Sequence, residues 1–177
     1  MRESKNIYLV GLMGAGKTTI GKALARSLGK AFIDCDHEIE RRTGVKVSVI
    51  FEIEGEQGFR NSESQVLAEL ALKDDLVLAT GGGAVLDPDN RARLAAHGFV
   101  IYLRASPRDL WLRTRHDHSR PLLQTPDPVG RLEELHRMRD PLYSEVADLV
   151  VDSGRQRASM LVARILQQLP EQCRTSA

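Results

Sequence analysis

The stretch GLMGAGKTTIG, residues 11–21, concentrates glycines directly ahead of a lysine and two threonines. Glycine lets a backbone approach a ligand closely and tolerates positive φ, at an entropic cost that a mere connector has no need to meet. Gly11, Gly16, Lys17 and Thr18 hold the fixed positions of G-x-x-x-x-G-K-[ST]. In that pattern loop N–H groups and a helix N-terminus face an anion, the lysine reaches β/γ-phosphate oxygens, and the hydroxyl can ligate Mg²⁺. The alternative is a glycine-rich structural turn. Against it, NIYLV before the motif reads as a buried strand, and Ile20, Ala23, Leu24 and Leu28 after it recur at helical spacing up to Gly29.

Other chemistry-bearing residues follow. FIDCD closes an apolar run with Asp34 and Asp36, whose side chains leave the same face if the strand continues. One carboxylate could hold Mg²⁺ through its water shell, and the other could accept a hydrogen bond from a hydroxyl. The competing reading makes Asp36 the N-cap of a helix containing His37, Ile39 and Glu40; cap and function can coexist. ATGGGAV places Gly81, Gly82 and Gly83 after a strand, where a bound molecule could touch backbone directly. Arg60, Arg120 and Arg139 carry guanidinium forks suited to carboxylate or phosphate. Taken singly, each reads as a surface arginine, and Arg60 could pair with Glu63 three residues on. His116 and His118 lack any Cys or acidic pattern to complete a metal site, so they read as solvated loop residues.

These groups need a scaffold. Short apolar strands are predicted at 7–10, 31–33, 76–79, 99–103 and 149–151, mostly separated by helical segments at 17–28, 37–42, 47–54, 57–72, 88–96, 107–113, 128–146 and 158–169. That alternation implies an α/β fold with a parallel sheet covered on both faces, α-β-α in three layers. At 177 residues a single domain is expected, 1–177, without internal repeats. TRHDHSRPLLQTPDP, 114–128, resists assignment, holds three prolines and lies between two helices. A long connection of this kind reads as a mobile lid.

Composition excludes several classes. The net charge is +1 and no basic tract dominates, so nucleic-acid binding is unsupported. Cys35 and Cys173 stand far apart, which suggests a reducing compartment and no structural zinc. MRESKN is polar and leads straight into the first strand, leaving no room for a signal peptide, and no apolar run reaches membrane-spanning length. A cytoplasmic, soluble protein is expected.

A phosphate loop alone indicates a nucleotide but no reaction. The chain has no N-K-x-D segment of the guanine-specifying kind, which argues against a GTPase-type switch. GLMGAGKTTIG, FIDCD, GEQGFR, TGGGAV, SRPLL and RDPLY, in this order across nearly the whole chain, closely resemble shikimate kinase. A gluconate kinase of the same fold would share the first motif but has no reason to carry GFR and RDPLY together. The resemblance implies a P-loop kinase fold of the nucleoside-kinase type, with a five-stranded parallel sheet of order 2-3-1-4-5, a lid, and a substrate-binding region at about 34–62. It implies ATP- and Mg²⁺-dependent phosphorylation of the 3-hydroxyl of shikimate, in aromatic amino acid biosynthesis, by a monomer.

By the same resemblance Lys17, Asp36 and Arg120 are catalytic. Gly14, Ala15, Gly16, Lys17, Thr18 and Thr19 hold the nucleotide phosphates, with Arg113 stacking on adenine and Arg120 and Arg157 completing that site. Asp36, Arg60, Gly82, Gly83 and Arg139 bind shikimate, and Thr18 with Asp34 binds the metal. The chain departs from the pattern at Ala158, where many relatives carry the proline that packs on the adenine face opposite the stacking arginine.

Overall fold

The structure is a computed structural model, and it describes residues 6–174. The polar opening, read above as leaving no room for a signal peptide, lies mostly outside those residues, at 1–5. Five strands, β1 (Ile7–Val10), β2 (Ala31–Asp34), β3 (Leu76–Ala79), β4 (Phe99–Arg104) and β5 (Leu149–Asp152), form one sheet of order β2-β3-β1-β4-β5. Every pairing is parallel. The two central strands β1 and β3 are buried along their whole length, as sequences apolar on both faces must be when helices cover both sides. β2 and β5 close the edges and are only partly covered.

Seven longer helices clothe the sheet: α1 (Lys17–Leu28), α2 (Cys35–Thr43), α3 (Val47–Leu70), α4 (Pro88–His97), α5 (Pro107–Thr114), α6 (Pro128–Val146) and α7 (Ala158–Gln168); a short α8 (Glu171–Arg174) follows. Proline at the first position and Asp or Ser caps start α4, α5 and α6: Asp87 accepts from Asp89 N, Ser106 from Asp109 N, and Asp127 from Gly130 N. Buried polar atoms are tied down inside this frame. The Asn6 amide donates to Lys73 O at 2.6 Å and its oxygen accepts from Leu76 N at 3.1 Å, fixing the starts of β1 and β3 against each other. Tyr8 and Tyr102 are fully buried with hydroxyls donated to His97 O (3.1 Å) and Asp140 Oδ1 (2.7 Å).

Three differences from the expectations are found. The strand at FIDCD does not continue: Asp34 Oδ1 accepts from Asp36 N and His37 N at 3.0 and 3.2 Å, and the chain turns into α2 at Cys35. The cap is therefore Asp34, and Asp36 sits in the first helical turn. The segments 47–54 and 57–72 are two helical pieces, as expected, that follow each other as α3 across a kink at Gly55, whose φ of 72° and ψ of 180° only glycine adopts at little cost. The 114–128 connection is not wholly irregular, since Pro121–Leu123 form a 3₁₀ turn and Leu123 is buried. The helix α8 was not anticipated. Among the described residues no helix is long and apolar enough to cross a membrane.

Candidate active site

All five strands point their carboxyl ends toward one cavity of about 800 Å³, the place where open α/β sheets bind ligands. Its floor is the loop between β1 and α1. Gly16 opens α1 in the left-handed conformation, φ 98°. Lys17 Nζ donates back to Gly11 O and Leu12 O at 2.5 and 3.0 Å, spanning the loop it belongs to. Burial first, and then the Arg120 charge, pull the Lys17 ammonium down to about 8; at neutral pH it remains mostly protonated.

Thr18 Oγ1 donates to Asp34 Oδ2 at 2.7 Å, so the hydroxyl ending the phosphate motif and the carboxylate ending β2 meet across the sheet edge. Asp34 thereby caps α2 with one oxygen and meets Thr18 with the other. Arg113, on α5, donates to Gly14 O at 2.9 Å and also to Ser153 O and Gly154 O. It stitches the phosphate loop to the turn after β5, and it lines the cavity. Arg120 lies in the 114–128 connection, its Nε donating to Asp117 Oδ2 at 2.9 Å. Two donors of Ser119 and then the Arg120 charge hold that aspartate below the usual carboxylate range.

The opposite end of the cavity is made of buried charge. Asp36 enters from α2, Arg60 and Glu63 from α3, and Arg139 from α6. Arg60 Nη1 donates to Glu63 Oε1 at 3.0 Å and Nη2 to Glu56 Oε1 at 3.1 Å. Yet Asp36 Oδ1, Glu63 Oε2, Arg60 Nε, and Arg139 Nε and Nη1 are buried without a hydrogen-bond partner. Glu63 is 1% exposed and Arg139 3%. Leaving such groups unpaired costs on the order of 1–3 kcal/mol each, so their convergence marks a place where a polar ligand completes the pairing.

Burial raises Asp36 above the ordinary carboxylate range, and the neighbouring Asp34 charge adds to the shift. Glu63 is pushed up to about 7 by burial, which outweighs the attraction of Arg60. Gly81 and Gly83 have a steric reason here. A Cβ on Gly81 would stand 2.1 Å from Glu63 Oε2, and one on Gly83 would stand 2.3 Å from the Arg60 guanidinium carbon. Phe51 and Phe59, ring centroids 4.9 Å apart, form an apolar wall beside them, and Pro121 and Leu122 of the 114–128 connection line the same cavity.

The cavity therefore gathers Gly14, Ala15, Gly16, Lys17, Thr18, Thr19, Asp34, Asp36, Arg60, Gly82, Gly83, Arg113, Arg120 and Arg139, as the sequence reading had them. Arg157 stands apart from this group: it precedes α7 as its N-cap, is exposed, and does not line the cavity, whereas its neighbours Gln156 and Ala158 do. Glu63 and the aromatic wall were undervalued. The Arg60–Glu63 spacing was visible, but as a surface pair; its burial depends on packing against Gly81, far away in the sequence.

A family model described as Shikimate kinase matches residues 13–170. The curated shikimate kinase of Burkholderia lata is 60% identical over 164 residues, 93% of this chain and 89% of that protein. The solved shikimate kinase from Acinetobacter baumannii, in complex with shikimate, is 51% identical with a TM-score of 0.90, covering 92% of this chain and 90% of that one. A gluconokinase from Sinorhizobium meliloti aligns with a TM-score of 0.55 at 17% identity over 94% of this chain and 92% of its own, a likeness of fold alone.

Proposed function

The chain belongs to the shikimate kinase family, and from that premise we propose how its residues divide the reaction. The enzyme transfers the terminal phosphoryl group of ATP to the 3-hydroxyl of shikimate, giving shikimate 3-phosphate and ADP, a step of aromatic amino acid biosynthesis. The observation that carries the division of labour is the unpartnered buried charge of Asp36, Arg60 and Arg139 at one end of a cavity whose other end is a phosphate loop.

Arg139 and Arg60 take the shikimate carboxylate, because both line the cavity and Arg139 Nε and Nη1 and Arg60 Nε have no protein partner. Gly82 and Gly83 lie against the ring through backbone atoms. Asp36 accepts the hydrogen bond of the attacking hydroxyl and draws its proton as the oxygen–phosphorus bond forms. Phosphoryl transfer asks the protein mainly for positioning and for neutralising charge. Lys17 and Arg120 supply the positive charge, and Arg113 offers its flat face to adenine while its edges hold the loops in register.

Thr18 Oγ1 and Asp34 suit Mg²⁺: they are hard oxygen donors 2.7 Å apart beside Lys17, and an ion that keeps most of its waters needs few protein ligands. Among the described residues no larger cluster of His, Cys, Asp or Glu competes for it. When bound there, Mg²⁺ would screen phosphate charge. Residues 114–128 serve as the lid and 34–62 as the substrate-binding region of a single domain. The site is assembled from one chain, as a monomer requires, and both cysteines are free and buried, in keeping with the cytoplasm.

A coupled assay of ADP release tests the reading with shikimate, gluconate or no acceptor in the presence of Mg²⁺ and ATP. Turnover with shikimate alone is expected. Equal turnover with gluconate would remove the carboxylate-and-ring recognition assigned to Arg60, Arg139, Gly82 and Gly83.

A further inference from the structure

Tyr143 is fully buried on α6, one turn after Arg139, and nothing in the reaction just described uses it. Its hydroxyl donates to Gly82 O. Its ring lies against that of Tyr102, centroids 4.9 Å apart.

The partner of that hydroxyl is the central peptide of a turn. Ala84 N donates to Gly81 O at 3.1 Å, which closes a four-residue turn over Gly82 and Gly83. Gly83 has φ −98° and ψ 4°, the second central position of a type I turn. With glycine at that position a type II turn is equally open to the chain, and the two differ by a flip of the peptide between residues 82 and 83. The flip exchanges the sides to which Gly82 C=O and Gly83 N–H point. The peptide bond is trans, so the carbonyl and the N–H across it point in opposite directions. Two adjacent glycines provide no side chain to choose between the orientations. The Tyr143 hydroxyl does choose: it fixes the carbonyl toward α6 and turns the N–H away from it.

Resting on the reading of Gly82 and Gly83 as shikimate contacts, we propose that Tyr143 is a positioning residue for acceptor binding. Its hydroxyl locks the 82–83 peptide so that the Gly83 N–H faces the cavity as a fixed donor for a ring hydroxyl. Burial pushes the Tyr143 phenol up to about 12, so it remains a donor across the working pH range. The ring and Arg139 occupy successive turns of α6, so the helix that presents the carboxylate fork also sets the turn. The Gly83 N–H makes no hydrogen bond within the described residues, and Gly83 itself lines the cavity.

Tyr143→Phe keeps the ring and its contact with Tyr102 while removing the lock. The expected result is a rise in shikimate KM of about three- to tenfold, the value of one well-placed hydrogen bond, with ATP KM unchanged. Tyr102→Phe is the control: it also deletes a buried hydroxyl, donated at 2.7 Å to Asp140, but leaves the turn untouched and should leave shikimate KM as it was. Arg139→Lys, measured beside them, separates two kinds of failure. Unchanged shikimate KM in Tyr143→Phe with a raised one in Arg139→Lys overturns the role of Tyr143 and spares the carboxylate reading. Unchanged values in both overturn the two together. A rise in ATP KM equal to that for shikimate, or an equal effect of Tyr102→Phe, shows a general structural loss and also overturns the proposal. Independently of any variant, saturating shikimate should shift the Gly83 amide resonance in ¹⁵N-labelled wild-type protein. An unmoved Gly83 amide refutes the inference directly.

Discussion

The two ends of the cavity are built by different means. At the phosphate end, recognition comes from one contiguous stretch: loop N–H groups, a left-handed Gly16, and a lysine held by the carbonyls of its own loop. The rest of the fold adds the dipole of α1 and a few side chains from other elements, Asp34, Arg113 and Arg120. At the acceptor end, four charged side chains from α2, α3 and α6 converge, and several of their polar atoms have no protein partner. The first end is preformed and generic, so it can hold any nucleotide phosphate. The second stores unsatisfied charge that only a ligand of the right shape relieves, which is how a shared fold acquires one acceptor.

The largest test falls on the generic end. Lys17→Met removes the phosphate ligand but leaves a side chain of similar length in the loop, so kcat should fall by roughly 10²–10³-fold, with little change in melting temperature. Near-normal turnover would mean that charge at this end comes from elsewhere and that the contrast between the ends is false.

The next test falls on stored charge. Glu63 has its carboxyl raised from 4.5 to about 7 in the folded protein, by burial against the pull of Arg60. Around it stand Arg60 and Glu56 on its own helix, Asp36 on α2, and Arg139 and Tyr143 on α6. A carboxyl with a raised folded pKa binds its proton more tightly in the native state than in the unfolded chain. Its contribution to stability is therefore complete below about 4.5 and lost as pH climbs toward about 7. Across that window wild type should lose stability relative to Glu63→Gln by on the order of 3 kcal/mol, read as the difference between their melting-temperature profiles. Parallel profiles would show that Glu63 is charged throughout, with Arg60 matching it fully.

The same contrast explains what could be read from sequence. β1, α1, β3 and α6 fall where apolar periodicity, Gly29 and Pro128 place them, because those signals are local. The phosphate loop was legible because its residues are neighbours in the chain. Asp34 was misjudged because capping depends on backbone direction: the turn into α2 at Cys35 made it the cap and carried Asp36 inward on a helix instead of a strand. The break at Gly55 was legible as well, because a glycine between two helical patterns marks a local interruption. Glu63 read as a surface partner of Arg60, since burial by Gly81 and Arg139 is a property of three separate elements. Arg157 was placed at the nucleotide by resemblance, and it is exposed at the start of α7, outside the cavity lining.

Arg139→Lys probes specificity at the acceptor end more gently. It retains the positive charge but loses the planar fork, leaving one point donor where Nε and Nη1 now stand free. Shikimate KM should rise about tenfold, while ATP KM moves little. A loss falling on ATP would place Arg139 among the phosphate ligands and erase the division between the ends.

The smallest effect belongs to the nucleotide end, at Ala158. This residue is the first of α7, lines the cavity, and follows an N-cap, Arg157, at φ −67° and ψ 144°. Those are the conditions under which proline is accepted: its missing N–H belongs to the unsatisfied first turn, and the preceding residue already has the extended backbone that proline imposes. Ala158→Pro should therefore stabilise the fold by about 0.4–1 kcal/mol, chiefly by restricting the unfolded chain. It also adds apolar surface to the cavity lining and stiffens the turn that Arg113 holds through Ser153 O and Gly154 O. ATP KM should fall by about twofold with shikimate KM unchanged. A raised melting temperature without any change in ATP KM would leave Ala158 as the start of a helix and take it out of the adenine site; a lowered melting temperature would show that the start of α7 does not accept proline's geometry.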